Sequence, residues 1–325
     1  MAHPAGDPRS ESGLPDIQGL RPQVQMKLSR VGIAGVKKLV ELSRTGAKRP
    51  VVLVSTFDLY VDLPAALKGA NLSRNMEVMN EVLEEAVRDP RYESPCDLCE
   101  EVAGRLLERH EYADRAEVRM RAEYMVRRKT PVTGIPCQGM VDVFARAVQD
   151  RRDRGRKMLG AEVVGMTACP CAQEMVREHA ADALRKHGIP AATASKVVEI
   201  LPAATHNQRG RGSIAVEVSN GVRVPLDPLI SIIARSMSME IFELLKRPDE
   251  AHVVEEAHRR PMFVEDCVRE MARRLVAEMR ELPDTALVTI KQTNEESIHQ
   301  HDAFAERVAT LGELRKELNG KSSGR

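Results

Sequence analysis

The chain has no tryptophan and only four tyrosines and five phenylalanines among its 325 residues. So few flat rings argue against the stacking platforms that bind single-stranded nucleic acid. They leave Val, Leu, Ile, Ala and Met to build the core. Excess charge is missing as well: 49 Lys and Arg against 48 Asp and Glu leave a formal charge of +1. No global field therefore draws the protein to nucleic acid or to anionic lipid. No stretch approaches the roughly 18 consecutive apolar residues of a membrane span, and the N-terminal MAHPAGDPRSESGLPDIQ contains no apolar signal segment. The expectation is a soluble, cytoplasmic protein with no nucleic-acid and no membrane partner. Cysteine is sparse, and six thiols without a secretion signal read as free thiols or metal ligands, not as a disulfide framework.

What is present is a change of period along the chain. Residues 1–22, rich in Pro, Gly, Ser and charge, read as a mobile arm, and the terminal NGKSSGR reads as frayed. From Val24 the apolar positions alternate, and VVLVSTFDLYVDL at 51–63 is a second strand. A helix is predicted from Ser73, with Ser73 as N-cap and Pro90 as stop, and another over 95–110. Alternation returns over 116–126 and 139–148, giving the order β, β, α, α, β, β. The second half repeats it loosely: strands over 157–168 and 212–220, long helices over 227–247 and 263–282, a strand over 285–294 and another beyond Glu296. A single helix over 172–188 interrupts the first strand pair. The organisation is α+β, with a first unit over 23–152 and a second over 153–318.

Three clusters carry chemistry. Cys169 and Cys171 flank Pro170 between an apolar strand and a helix, where the helix N-terminus favours a thiolate. Core packing, a redox pair, half of a structural zinc site and a catalytic metal corner all remain open at this point. Cys96 and Cys99 have C-x-x-C spacing, but they fall in the first turn of an amphipathic helix, where positions three apart share a buried face. Cys137 and Cys267 have no sequence partner and read as structural. Glu296, His299 and His301 put a carboxylate and two imidazoles within six residues, a set suited to zinc or ferrous iron. His206, Arg209 and Arg211 lie in a Gly-rich segment that offers one metal ligand plus guanidinium groups for phosphate. Asp249, Glu250, Glu265 and Asp266 read first as helix-start carboxylates.

Taken in order, LPDIQ (14–18), RVGIAGVK (30–37), FDLYVDLP (57–64), KGANLSRN (68–75), GMTACPCAQ (165–173), THNQRGRG (205–212), KRPDE (246–250), FVED (263–266) and ESIHQH (296–301) resemble the type IB GTP cyclohydrolases. The long insertion after the Cys-Pro-Cys turn is similar to their archaeal, methanopterin-pathway branch. The resemblance implies tandem tunnelling-fold units, each a four-stranded antiparallel sheet with two helices between the middle strands. It also implies a homodimer or homotetramer with active sites at subunit interfaces.

The substrate implied is GTP, with one ferrous ion per active site and Mn2+ or Zn2+ as substitutes. The implied ligands are Cys169, His206, Glu296 and His299, with Glu250 near the metal. His299 or His301 would carry protons, and Glu265 would accept hydrogen bonds from guanine. Lys68, Ser73, Arg74, Arg209 and Arg211 would hold phosphate. The implied reaction opens the guanine imidazole ring, releases formate and closes 7,8-dihydroneopterin 2′,3′-cyclic phosphate; the bacterial branch makes the triphosphate. One departure is Asn71, where the family usually has His. Two rivals are a metal-free deazapurine nitrile reductase on the same fold and a zinc-stabilised interaction module built on Cys96, Cys99, Cys169 and Cys171.

Overall fold

Period-two runs rich in branched residues become strands here and period-3.6 runs become helices, so the first half of the chain folds close to its pattern. A computed structural model describes residues 17–43, 50–88, 92–152 and 155–320. Strands β1 (Leu28–Leu42) and β2 (Val51–Leu63) pair antiparallel, helices α1 (Ser73–Arg88) and α2 (Pro95–Arg109) follow, and strands β3 (Arg115–Lys129) and β4 (Pro136–Asp150) complete the run. Val24 and Met26 lie exposed ahead of β1, not in it, because nothing packs on them. Pro90, the expected stop of α1, and most of the N-terminal arm lie outside the described residues. Where the arm is described, Gln18 and Leu20 accept backbone hydrogen bonds from Lys68 and Gly69.

The second half runs β5 (Arg156–Ala168), α3 (Pro170–Lys186), α4 (Ala191–Ile200), β6 (Asn207–Ser219), α5 (Leu226–Ala234), β7 (Met239–Glu240), α6 (Arg247–Arg259), α7 (Val264–Glu278), β8 (Leu287–Asn294), β9 (Ala303–Thr310) and α8 (Leu311–Asn319). Among the described residues the strand order is β1-β2-β3-β4-β5-β6-β8-β9, with β7 added beside β5. Two compact units emerge: Met1–Ala122 with Phe144–Leu159 and Ser219–Gly221, and Glu123–Val143 with Gly160–Val218 and Val222–Arg325. Strands β3, β4, β5 and, by its last residue, β6 give residues to both.

In the first unit, Phe57, Leu59 and Val61 of β2 and Ala116, Val118 and Met120 of β3 are sealed from solvent, as are Val78, Met79 and Val82 of α1 and Leu98, Val102 and Leu106 of α2. Each large side chain buried in this way contributes roughly 1.5–3 kcal/mol. β1 runs so close to β2 at Gly32 that a Cβ there would lie 1.9 Å from the Leu59 carbonyl oxygen, so only glycine fits. Beneath this layer the His110 ring bridges Asn75 Oδ1 and Tyr112 Oη, each at 2.9 Å, and Asn75 Nδ2 donates to Leu59 O. Burial, aided by the charges of Arg74 and Arg109, pulls the His110 imidazole down to about 4.

The second unit departs from the sequence pattern in three places. The helix predicted over 227–247 ends at Ala234. Ser236 Oγ turns back to Ile232 O, Ser238 Oγ accepts from the Ala168 amide, and Met239–Glu240 pair with Gly165–Met166, so backbone competition from β5 ends the helix. The single inserted helix is two, because Gly188 takes a positive φ of 84° and Pro190 then opens α4. Helix α8 was not anticipated, and α6 only through its start, where Asp249 and Glu250 were read as helix-start carboxylates. In α6 the buried Asp249 carboxylate accepts from the amides of Lys246, Val132 and Thr133 and from the Thr133 hydroxyl, which hold it well below the usual carboxylate range against the cost of burial. Helix α7 packs against β8, β9 and α5, with Leu229, Ile233, Met271 and Leu275 sealed from solvent. Among the described residues no helix is long and apolar enough to cross a membrane.

Candidate active site

Strand β5 delivers Cys169 as the N-cap of α3, with extended backbone (φ −78°, ψ 119°) and Pro170 at the first helical position, where its missing N–H costs nothing. The Ala172 amide points at Cys169 Sγ, 3.5 Å away. The Cys169 amide donates to His206 O at 3.1 Å, and Thr205 Oγ1 donates to Cys169 O at 2.9 Å. The thiol corner and the start of β6 are thus tied through their backbones. Cys169 is half-buried and Cys171, the second residue of the helix, is exposed. Met262 donates its amide to Ala168 O, and Gln173 Nε2 donates to Ala203 O and His258 O, so the α6–α7 link closes onto the same corner.

His206 and Glu296 meet from β6 and the end of β8, with Nδ1 and Oε2 3.8 Å apart. Between them stands Gln208, which the sequence analysis did not single out. Its Nε2 donates to Glu296 Oε1 at 3.2 Å and its Oε1 lies 3.2 Å from His206 Nδ1. An ionised carboxylate only accepts, so the amide must turn its NH2 to Glu296 and its oxygen to His206. His206 then carries its proton on Nδ1 and keeps the Nε2 lone pair, which bonds no protein atom among the described residues. The signal for Gln208 was available: two residues beyond His206 on a strand, it projects on the same side. The Arg209 carbonyl accepts from the Glu295 amide, which fixes the end of β8 against β6.

The other expected residues are distributed as follows. His299 and His301 are exposed, with their rings stacked at 5.2 Å and an interplanar angle of 14°. Glu250 is exposed in the first turn of α6. Glu265, in the first turn of α7, borders an open cavity of about 1160 Å³ with Met262 and Arg260. Arg209 is exposed, whereas Arg211 is held by Glu295 at 2.7 Å and Glu162 at 3.4 Å. Lys68, Ser73 and Arg74 belong to the first unit; Arg74 donates to Arg109 O, the other two are exposed, and Asn71 lies against the Tyr112 hydroxyl.

A thiol, an imidazole and a carboxylate on adjoining backbone form a donor set that fits a borderline-soft divalent ion. Among the described residues, no three His, Cys, Asp or Glu side chains are yet gathered around one point. Cys96 and Cys99 are fully buried, and burial pushes the first thiol up to about 12 and the second well above its ordinary value. Both thiols pack on the core face of α2, as their spacing of three on one helix face predicts.

The family model described as type I GTP cyclohydrolase folE2 matches residues 14–305. The chain is 58% identical over 308 residues to GTP cyclohydrolase MptA of Methanococcoides burtonii, covering 94% of this chain and 96% of that one. It is 55% identical to GTP cyclohydrolase MptA of Methanosarcina mazei, covering 94% and 98%. Among solved structures, a hyper-thermostable uricase mutant superposes with a TM-score of 0.50 at 10% identity, over 87% of this chain and 92% of that one. A likeness at that identity is one of fold, and the fold is the tunnelling fold expected from the sequence.

Proposed function

The chain belongs to the type I GTP cyclohydrolase folE2 family, and from that premise we propose that it hydrolyses GTP at a mononuclear ferrous site to 7,8-dihydroneopterin 2′,3′-cyclic phosphate. The observation that carries the site is the continuous link from Cys169 through the His206 carbonyl to the His206–Glu296 pair. The metal supplies Lewis acidity that makes a nucleophile of water at neutral pH. Cys169, His206, Glu296 and His299 would hold it, with Glu250 as a further candidate ligand. Gln208 keeps the Nε2 lone pair of His206 available and the Glu296 carboxylate aimed at the same place. His301, stacked on His299, exchanges protons with the purine nitrogens as C–N bonds break and formate departs.

Glu265 accepts hydrogen bonds from guanine N1–H and the exocyclic amine, which selects guanine over adenine. Lys68, Ser73, Arg74, Arg209 and Arg211 hold the phosphates. The working assembly is a cytoplasmic homodimer or homotetramer. The test is anaerobic incubation of GTP with protein reconstituted with Fe2+, read by pterin fluorescence and by phosphorus NMR. A cyclic phosphodiester signal is expected, and a triphosphate pattern would move the protein to the folate-type product. Metal-free protein that instead captures a deazapurine nitrile as a thioimide would overturn the reading.

A further inference from the structure

On β3, Arg115, Glu117 and Arg119 alternate with Ala116, Val118 and Met120, so the first set faces away from the helix-covered core. Glu117 is nevertheless almost fully buried, because arginines cover it. Arg30 Nε reaches its Oε2 at 2.8 Å, Arg119 Nε and Arg146 Nε reach its Oε1 at 2.8 and 2.9 Å, and Arg115 Nη2 stands at 3.9 Å. Burial raises the Glu117 carboxyl, but the hydrogen bonds from Arg30 and Arg119 and the charge of Arg146 outweigh it and leave the group below its ordinary value. The four guanidiniums come from three strands, β1, β3 and β4, and all belong to the first unit.

The charges do not balance. Four guanidiniums against one carboxylate leave three positive charges, and Asp58, the register partner of Arg119, removes at most one more. The geometry is equally one-sided. Glu117 engages Arg30, Arg119 and Arg146 through their Nε atoms, and the terminal nitrogens of these three arginines hydrogen-bond no protein atom among the described residues. Arg119 is further steadied over the Tyr60 ring, 5.8 Å from its centroid. Lys37 and Arg121, both opposite Thr56 in the sheet, carry positive charge further along the same face. A single buried carboxylate thus acts as a pivot that orders several guanidinium forks and leaves their outer edges open. Those edges match the paired oxygens of phosphate groups.

We infer that this face of the first unit's sheet is a binding site for an oligophosphate, with Glu117 as the residue that positions the arginines. The ligand is either a free inorganic oligophosphate or the phosphate tail of a nucleotide. The inference stands apart from the metal site, and its test reads binding, not turnover.

The probe is inorganic tripolyphosphate, titrated calorimetrically into the intact protein without added metal, in low salt and again in 0.5 M KCl. Wild-type protein is expected to bind it, and to bind it more weakly in high salt. The Arg119→Gln/Arg146→Gln double variant is expected to lose about tenfold or more in affinity, while Arg88→Gln, exposed at the end of α1, keeps it. Circular dichroism and thermal melting of the double variant establish that it is folded. Glu117→Gln, which keeps every guanidinium but removes the carboxylate that orders them, is expected to bind tripolyphosphate more weakly, and unchanged or tighter binding would remove the positioning role. GTP that displaces tripolyphosphate, where guanosine does not, identifies a nucleotide tail as the occupant; failure of GTP to displace it identifies the free oligophosphate. No binding by wild-type protein, or a loss that follows Arg88→Gln and spares the folded double variant, would overturn the site.

Discussion

Each unit of this protein offers a proline-led helix start with cysteine, and each offers a half- or fully buried histidine, yet the two pairs are chemically opposite. In the first unit α2 opens with Pro95, Cys96 and Cys99, and both thiols are sealed in the core. His110, just past the end of the same helix, has both ring nitrogens engaged, by Asn75 and Tyr112. In the second unit α3 opens with Pro170 behind Cys169, whose sulfur faces the helix N-terminus and is partly open. His206 engages its neighbours through Nδ1 alone. A site is therefore marked less by residue type than by unfilled valence: donors held in place by partners that leave one lone pair over. Buried and saturated, the same residues are packing.

The largest test of this contrast exchanges the thiols. Cys169→Ala is expected to abolish GTP conversion in the anaerobic fluorescence assay, while Cys96→Ala leaves the rate constant nearly unchanged. The native protein should also react with an aromatic disulfide reagent at Cys169 and Cys171 only, and at the other four thiols only after denaturation. Rapid native labelling of Cys96 or Cys99 would contradict their burial.

The next test breaks the support and leaves the donors intact. Gln208→Leu removes the amide that fixes the His206 tautomer, and about a 10–100-fold loss in metal affinity or activity is expected. Gln208→Glu, which brings a second negative charge against Glu296, should not restore it. A Gln208→Leu enzyme with wild-type kcat and iron affinity would remove the positioning role.

The smallest effect concerns the saturated histidine. His110 stays neutral in the folded chain down to about pH 4, whereas in the unfolded chain it protonates near its ordinary value of 6.5. Between these limits the unfolded state binds more protons, so stability falls as pH drops from about 6.5 to 4 and is insensitive to this group above 6.5. The loss should be on the order of 2 kcal/mol. Urea denaturation of wild type and His110→Gln at pH 7.5, 6 and 5 measures it, and the variant should show the shallower dependence. Parallel curves would mean that His110 does not carry the effect.

Legibility in the sequence tracked how local each feature is. Strand β2 was read to the residue because its alternation is bounded on both sides, and α1 and α2 to within one residue at their ends because their apolar period is regular. The break after Ala234 was not legible, since it depends on β7 pairing with a strand some seventy residues earlier. Helix α8 carried a signal that went unread: Thr310 and Glu313 form a capping box. At the site, the motifs around Cys169, His206 and Glu296 could be named in order, whereas Gln208 offered only its place two residues beyond His206, and its role showed once Glu296 was placed beside it. The arginines around Glu117 were likewise invisible, because they arrive from three strands and each alone reads as a solvated charge.

The chain's own pattern of periods, caps and motif order was enough to specify an α+β fold, a resemblance to one family and the residue types of a candidate site. Those properties depend on near neighbours in the chain, where 2- and 3.6-residue spacing dictates which side chains share a face. Folding settled which cysteine is inert, which nitrogen of His206 is left unpaired, and why Glu117 can be buried with its charge. Each of these depends on desolvation and on hydrogen bonds between groups distant in sequence, quantities that have no value until the backbone brings the partners together.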